Sequence, residues 1–484
     1  MNWKGISRNV GLALLVSSLF MFLSVLVSVL NGKDSAFTAL IISFTITFIV
    51  GIFPFIFVHT TQAMSLKEGY ITITLAWLLS FVFGMLPYAL WGGPFSVMNA
   101  WFESVSGFTT TGSSILDNVE ALPRSLLFWR ASTHFIGGLG VVVFLLLIIP
   151  DSSPVKLRLV NMELGSLSRG AYSARTNRIV YIFAYVYFGI FVLALVMYLL
   201  AGMPFFDAVC HAMSVTATGG FSTRNASIGA FGSRWIEGVT MLCMYLSSIH
   251  YGILYMAIVK RSLKPLNNPV VNYYSVSILA FALLLGIGLK VCGYCATWGD
   301  SLWNGLFEIM CISTTTGFAI IDNSTWPGIL CALILIPAAV CACAGSTSGG
   351  LKIDRILLVF KIIGRHVGRI LHPSSVNEVK FGGRVLKEED VSPHLLYIVM
   401  YVILLSFSTL LALWFGIGWQ NALGASITSL SNVGPALGDM GSLGTFSAAS
   451  DAAKAVFTMD MFLGRIEIYP VLAVVAMIFD KRNR

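Results

Sequence analysis

Charge is the scarcest commodity in this chain of 484 residues: Asp, Glu, Lys and Arg together make up 11%. A soluble domain carries roughly a quarter, so an ordinary water-solvated surface is excluded. Cysteine offers no framework either. Cys292 and Cys295 form a C-x-x-C, but the other close pair, Cys341 and Cys343, lies in a different apolar stretch. A zinc site needs its second ligand pair within reach, so packing is the simpler reading. His134, His211 and His250 show no ligand spacing and read as packed polar groups. The apolar stretches hold no paired nucleophile and base and no metal cluster, so an intramembrane enzyme is not expected.

Apolar sequence fills the space that charge leaves. The hydrophobic share is 57% and the mean hydropathy is +0.84. A spanning helix needs about 20 largely apolar residues, and ten such stretches lie near 9–30, 36–58, 69–92, 125–150, 179–202, 235–259, 273–294, 326–367, 394–416 and 454–480. The first is long for a signal peptide and no A-x-A site follows it, so it reads as a helix. The eighth is too long for one span and is interrupted by glycines. An even number of spans puts both termini on one side. With them lie Lys4, Arg8, Lys67, the 151–178 linker, Lys260, Arg261, Lys264, the basic 352–393 linker and the tail from Lys481. The positive-inside rule places that side in the cytoplasm. The net charge of +8 then belongs to loops beside anionic lipid and calls for no nucleic acid.

Four short polar segments lie between these stretches and end alike: Asn99 to Gly112, Asp207 to Gly220, Asn304 to Gly317 and Asn421 to Gly434. In each, Asn or Asp stands thirteen residues before a glycine and is followed by a small residue. The Asn or Asp suits an N-cap. About two turns of helix follow, too few to span, and then a stretch rich in Thr and Gly. Irregular backbone at membrane depth is tolerated only where it is buried in protein or lines a water-filled cavity. Helix C-termini carry partial negative charge, and the chain beyond them can turn its carbonyls toward a cation. The expected fold is therefore all-α and integral to the membrane: an N-terminal helix pair, then four helix–pore-loop–helix repeats set pseudo-fourfold around one ion pore. The units are a helix pair at 1–60 and repeats at 61–150, 151–265, 266–385 and 386–484. The expected filter is Thr109, Thr110, Thr111 and Gly112; Ala217, Thr218, Gly219 and Gly220; Thr314, Thr315, Thr316 and Gly317; Ser431, Asn432, Val433 and Gly434. Side chains differ between the loops, so backbone carbonyls carry most of the coordination. Glu103 and Glu308 stand nine residues before their glycines; they either attract cations or brace the short helices.

On these residues the chain resembles the Trk, Ktr and HKT superfamily of cation transporters, and its TrkH/TrkG branch in particular. The motifs are FTTTG at 108–112, GGFST at 219–223, STTTGF at 313–318, NVGP at 432–435, CAGSTSGGLK at 343–352 and FLGRIEI at 462–468. The resemblance implies a bacterial inner-membrane subunit for potassium uptake, with no covalent cofactor and only K+ ions in the pore. It implies a homodimer that binds cytosolic TrkA-type nucleotide-binding regulators, with the 352–393 linker as a plausible contact. In this superfamily glycine in all four loops goes with potassium, and serine in the first with sodium. The resemblance also implies a gate below the filter, matching Gly345, Ser346, Thr347, Ser348, Gly349 and Gly350. Three glycines there cannot hold a rigid helix. Gly345 and Gly350 have P-loop spacing, but Leu351 stands where a Walker lysine belongs. A packing kink is the other reading of that run. Arg465, costly inside a span, is implied to face the loop as a barrier; alternatively it ties structure together through Glu467 or loop carbonyls. Two further functions compete: the potassium-binding subunit of a pump complex, and a secondary transporter of another solute, which would aim helix N-termini at its substrate.

Overall fold

The computed structural model describes residues 1–58, 64–148, 176–372, 380–381, 384–385 and 388–479. Much of the two basic linkers, at 151–175, 373–379, 382–383 and 386–387, lies outside the described residues, as does the tail at 480–484.

The chain opens with two apolar helices, Trp3–Leu30 and Phe37–Phe57, packed as a hairpin. Their seam is narrow because glycines meet in it. A Cβ on Gly11 would lie 2.6 Å from the Gly51 carbonyl oxygen, and one on Gly51 3.1 Å from that of Gly11. Small residues at such a crossing let membrane helices share dispersion contacts that larger side chains would prevent. The next helix, Leu66–Gly84, starts with a capping box: Ser65 Oγ accepts from the Glu68 N–H while Glu68 Oε2 accepts from the Ser65 N–H at 2.7 Å. The other carboxylate oxygen accepts from the Asn2 N–H at 2.6 Å, so one residue caps this helix and holds the N-terminus against it.

Four units then repeat one plan. In the first, Leu66–Gly84 and Leu86–Trp91 lead to the short helix Val97–Phe108 and on to Arg124–Ile148. The second runs Thr176–Leu200, short helix Phe205–Thr216, then Arg234–Ser248 and Tyr251–Val259. The third runs Pro269–Val291, short helix Trp298–Ser313, then Gly328–Val340 and Ile353–Leu371. The fourth runs Glu388–Trp414, short helix Trp419–Leu430, then Asp451–Arg465 and Tyr469–Phe479. Three short helices have 12 residues and the third has 16. At 1.5 Å per residue they fall short of the roughly 30 Å hydrocarbon core. A two-residue antiparallel ladder, Lys380–Phe381 with Arg384–Val385, interrupts the otherwise all-α order.

Two expectations change. Among the described residues, six helices are unbroken, long and apolar enough to cross a membrane, and Arg234–Ser248 with Tyr251–Val259 crosses as a pair bent by 102°. The second helix of unit three is broken at 340–353, as its glycines suggested, and those of units two and four are broken as well, at 248–251 and 465–469. Hydropathy alone joined the halves in units two and four. Second, Asn99, Asp207, Asn304 and Asn421 do not cap the short helices. Those helices start earlier, after Ser96, Pro204, Thr297 and Gly418; Ser96 and Thr297 provide side-chain caps. The four residues instead fasten the short helices to neighbouring chain. Lys454 Nζ donates to Asn99 Oδ1 at 2.9 Å, Thr223 and Arg224 bind the Asp207 carboxylate, Asn304 Nδ2 reaches Cys295 Sγ, and Asn421 Nδ2 reaches Asp439.

Gly11→Leu should lower stability by about 1–3 kcal/mol, the usual cost of overpacking, seen as a lower melting temperature of the purified protein in detergent. Gly189→Ala, in a helix with open space around it, should be neutral or stabilise by up to about 1 kcal/mol. Equal melting of Gly11→Leu and the unaltered chain would contradict the close seam.

Candidate functional site

All four short helices end in the same hydrogen-bonded turn. The second residue before each loop's closing glycine takes a left-handed conformation: Thr110 (φ 54°), Thr218 (φ 53°), Thr315 (φ 58°) and Asn432 (φ 55°). The next N–H folds back five residues onto the helix. Thr111 donates to Ser106 O, Gly219 to Ser214 O and Thr316 to Cys311 O, each at 2.9 Å, and Val433 donates to Thr428 O at 2.8 Å. The left-handed residues donate to Gly107, Val215, Ile312 and Ser429. This is the Schellman arrangement, which ordinarily takes glycine or asparagine at the left-handed position. Three threonines here are β-branched outliers, and such residues cost about 1–3 kcal/mol each.

The turn uses the two N–H groups before each glycine and leaves the carbonyls of those residues bare among the described residues. The two residues before each glycine, Thr110 and Thr111, Thr218 and Gly219, Thr315 and Thr316, Asn432 and Val433, are buried. Their carbonyl oxygens receive no hydrogen bond from any described residue, nor do those of Gly112, Gly220 and Gly317; Gly434 O accepts from Ser113 Oγ at 3.0 Å. The glycines, at φ 85°, 85°, 77° and 99°, touch one another's loops in a closed cycle. A Cβ on Gly112 would strike the Gly219 carbonyl, on Gly220 that of Thr316, on Gly317 that of Val433, and on Gly434 that of Thr111. The cycle closes in chain order. Outside it opens a cavity of about 150 Å³ lined by all four glycines.

The outer rim is cross-tied. Ala319 N–H donates to Ser227 Oγ, Asn323 and Ser442 exchange bonds, and Phe446 N–H donates to Ser114 O at 2.9 Å. Thr445 Oγ1 donates to Asp117 at 2.6 Å. That bond, with one from Ser447, holds the Asp117 carboxyl below the ordinary aspartate range, so the tie stays charged down to acidic pH. On the same rim Asp207 raises the Arg224 pKa by hydrogen bond and charge.

On the inner side, the second helix of unit three (helix three-two, Gly328–Val340 and Ile353–Leu371) is interrupted from Cys341 to Lys352. The loop satisfies itself against the break in unit two: Tyr251 N–H donates to Gly345 O at 3.0 Å and Cys343 N–H to Ser248 O at 3.3 Å. Asp354 Oδ2 accepts from the Ala344 N–H at 2.6 Å. Gly345 (φ 75°) and Gly350 (φ 74°) turn its ends. Its middle lies against the short-helix ends, with Thr347 Oγ1 3.4 Å from Thr216 O and Gly349 N–H donating to Thr315 Oγ1 at 3.3 Å. Arg465 Nη1 donates to Thr347 O at 2.7 Å and Nη2 to Gly137 O at 2.8 Å. Glu467 faces Lys352 at 3.3 Å and Arg355 at 2.6 Å. The cavity between loop and arginine is only about 30 Å³, room for a water or two.

The chain's residues 35–483 match the family model for TrkH, cation transport protein. The chain belongs to the TrkH family. It is 31% identical to the Trk system potassium uptake protein TrkH of Halomonas elongata, over all of both chains, and 30% identical to TrkG of Escherichia coli K12, over 91% of each. The crystal structure of the potassium transporter TrkH from Vibrio parahaemolyticus superposes with a TM-score of 0.89 at 28% identity, covering 99% of this chain and all of that one. The family places the chain among multi-span membrane transporters and not among enzymes.

In this TrkH-family chain the sequence-selected loop residues come together and so do Gly345–Gly350 and Arg465. The carboxylates nine before the glycines divide. Glu103 braces: Arg130 Nε lies 2.7 Å from its Oε1, and Ser114 Oγ and the Ile115 N–H donate to it. Arg130 also stacks 4.0 Å over Phe221 and donates to Ser222 O, joining the first two loops. In unit two the same position is His211, bonded to Ser222 Oγ at 2.9 Å. Glu308 receives only Asn323 Nδ2 at 3.3 Å, and its Oε2 is buried without a partner among the described residues. In unit four it is Ala425. Sequence reasoning missed Arg130, Lys352 and Arg355; their only signal was charge within or beside apolar segments. His134 bonds Ser214 and stacks on Phe221, and His250 caps a helix, as packed polar groups do.

Removing one partner of a buried ion pair costs about 3–5 kcal/mol, so Glu103→Ala should melt far below the unaltered chain in detergent. Glu308→Gln, which breaks no ion pair, should cost less than about 1 kcal/mol. Equal losses would remove the distinction between brace and bystander.

Proposed function

We propose that this chain is the potassium-conducting subunit of a Trk-type uptake system, in which the four glycine-ended loops form the selectivity filter. The observation that carries the reading is the closed cycle of loops with buried carbonyls that have no donor among the described residues. Each such group in hydrocarbon costs several kcal/mol, and a dehydrating cation supplies what is missing. The C-termini of all four short helices end at the ring, which favours positive charge. That polarity argues against a carrier of anionic solutes, which would present N-termini. The backbone does the coordinating, since the loops' side chains differ. Potassium is the cation because glycine stands at all four positions and because the relatives named above are potassium uptake proteins. The domain plan follows: the helix pair at 1–60, pore repeats at 61–150, 151–265, 266–385 and 386–484.

In the same reading the Gly345–Gly350 loop is the gate and this conformation is closed, since the cavity between loop and Arg465 has room for no more than a water or two. Arg465 holds the loop by its Thr347 carbonyl and sets a positive charge on the path. The chain works as a homodimer in the bacterial inner membrane with both termini in the cytoplasm. Cytosolic TrkA-type nucleotide-binding subunits supply the regulation, with the basic 352–393 linker as a contact.

The intact chain with a TrkA-type partner should restore growth of uptake-deficient cells at low potassium. Gly112→Ser should cost potassium preference over sodium by about tenfold or more, ~1.4 kcal/mol, because its Cβ meets the Gly219 carbonyl. No rescue with the partner present, or unaltered ion preference in the variant, would refute the filter. Arg465→Ala should raise potassium flux several-fold in vesicles; unchanged flux in a folded variant would end the barrier role.

A further inference from the structure

Five of the six buried acids among the described residues have a partner with a hydrogen to give. Glu103 pairs with Arg130, Asp207 with Arg224 and Glu237 with Arg234; Asp354 accepts the Ala344 N–H and Glu308 the Asn323 amide. Asp460, 4% exposed in the second helix of unit four, is the exception. Its Oδ2 is buried with no partner among the described residues, and its hydrogen-bonding neighbour is the Ser408 hydroxyl of Glu388–Trp414. That hydroxyl already donates to Leu405 O at 3.2 Å, and a serine has one hydrogen to give. Unit one reveals a second neighbour. A Cβ on Gly464 would strike Leu430 O at the end of the fourth short helix, as one on Gly137 would strike Phe108 O at the end of the first. Four residues before those glycines stand Asp460 and Thr133; one residue before those carbonyls stand Ser429 and Gly107. A Cβ on Gly107 would strike Thr133 Oγ1. Ser429, which has that Cβ, therefore meets Asp460, and its Oγ too is buried with no partner among the described residues.

We infer that Asp460, with Ser408 and Ser429, is a proton-binding site behind the fourth loop, and that its exchangeable proton tunes the ring's hold on the permeating cation. An ionised carboxylate at this depth needs a cation or several donors, and the helices packed against Asp451–Arg465 bring none. Trp419–Leu430 has no titratable residue. Val97–Phe108 has Glu103, which is spent on Arg130. Glu388–Trp414 faces Asp460 with Tyr401, whose hydroxyl bonds Ser431 Oγ at 2.6 Å. On the same helix as Asp460, Asp451 lies exposed in the first turn, Lys454 goes to Asn99 and Ser447, and Arg465 goes to Thr347 and Gly137. One proton completes the set. On Oδ1 it donates to Ser408 Oγ, and Oδ2 becomes a neutral acceptor for the Ser429 hydroxyl. Its loss to water leaves a carboxylate one residue from Met461, whose carbonyl holds the Asn432 amide of the fourth loop at 2.9 Å. Negative charge there adds to the field that the helix C-termini set at the ring. The proton site stands on this geometry alone; its effect on cation affinity rests on the filter reading above.

The site is tested by infrared absorption of the purified chain in detergent near neutral pH, against Asp460→Asn. The unaltered chain should show a protonated-carboxyl band, shifted in heavy water, that the variant lacks. If the variant loses an ionised-carboxylate band instead, Asp460 is charged in the fold and the inference is overturned. Ser408→Ala and Ser429→Ala keep the acid and should each move the band, which decides the matter should Asp460→Asn not fold; a band that neither moves overturns the site. The tuning is tested by rubidium uptake against concentration in uptake-deficient cells carrying the TrkA-type partner. Between about pH 6 and pH 8 the half-saturating concentration of the unaltered chain should fall by about threefold or more, while that of Asp460→Asn stays within about twofold. Equal pH dependence in the two overturns the tuning. If the unaltered chain takes up no rubidium, the filter reading fails and the tuning with it, whereas the infrared band still decides the proton site.

Discussion

Backbone groups at membrane depth must find partners, and the chain meets that demand in two opposite ways. At the ends of the short helices the Schellman turns bring the two N–H groups before each glycine back to helix carbonyls, as with Thr111 to Ser106 and Val433 to Thr428. Those donors are thereby used, and the carbonyls of the same residues receive none from any described residue. At the 341–352 loop the reverse holds. The broken helix of unit three meets the broken helix of unit two, and Gly345 O and Ser248 O find N–H groups at Tyr251 and Cys343. One irregular region is built to lack partners and the other to supply them. They lie directly against each other, through Thr218, Thr315 and Thr347.

The ring also explains why glycine is required at its four positions and not merely tolerated. Positive φ alone would admit asparagine. A Cβ at Gly112, Gly220, Gly317 or Gly434 would instead strike the next loop's carbonyl, an oxygen the proposed ion needs. Around this common ring the bracing is unequal. Glu103 with Arg130 and His211 with Ser222 tie helix to loop in the first two units; Glu308 has one amide, and Ala425 has nothing to offer. One chain carrying four repeats is free to differ in this way, because each loop meets only its two neighbours.

The architecture was legible where pattern is local. Apolar runs gave the leading pair and most spans, the thirteen-residue spacing found all four loops, and GSTSGG marked a break in helix three-two. The caps were misplaced because Asn99 and its counterparts lie inside helices that start at Ser96 or Thr297; polar residues within an amphipathic first turn look like boundaries. The breaks at 248–251 and 465–469 went unseen because hydropathy does not register a bend between two apolar halves. Arg130 and the Glu467 cluster escaped for another reason. Arg355 and Glu467 stand 112 positions apart, and no local periodicity links them.

That last pairing decides how the arginine can act. Arg465 and Glu467 are close enough in sequence to neutralise each other, and on a continuous helix they would still point to different faces. Here the helix stops at Arg465, and Glu467 and Ile468 take positive φ, which swings the carboxylate away to Lys352 and Arg355. The break thus sorts the charges. The carboxylate is spent on two cations at the start of the helix that follows the loop, while the guanidinium goes to carbonyls of the loop and of Gly137. Helix breakage, otherwise a cost in the membrane, is what lets Arg465 tie the loop while Glu467 turns to Lys352 and Arg355.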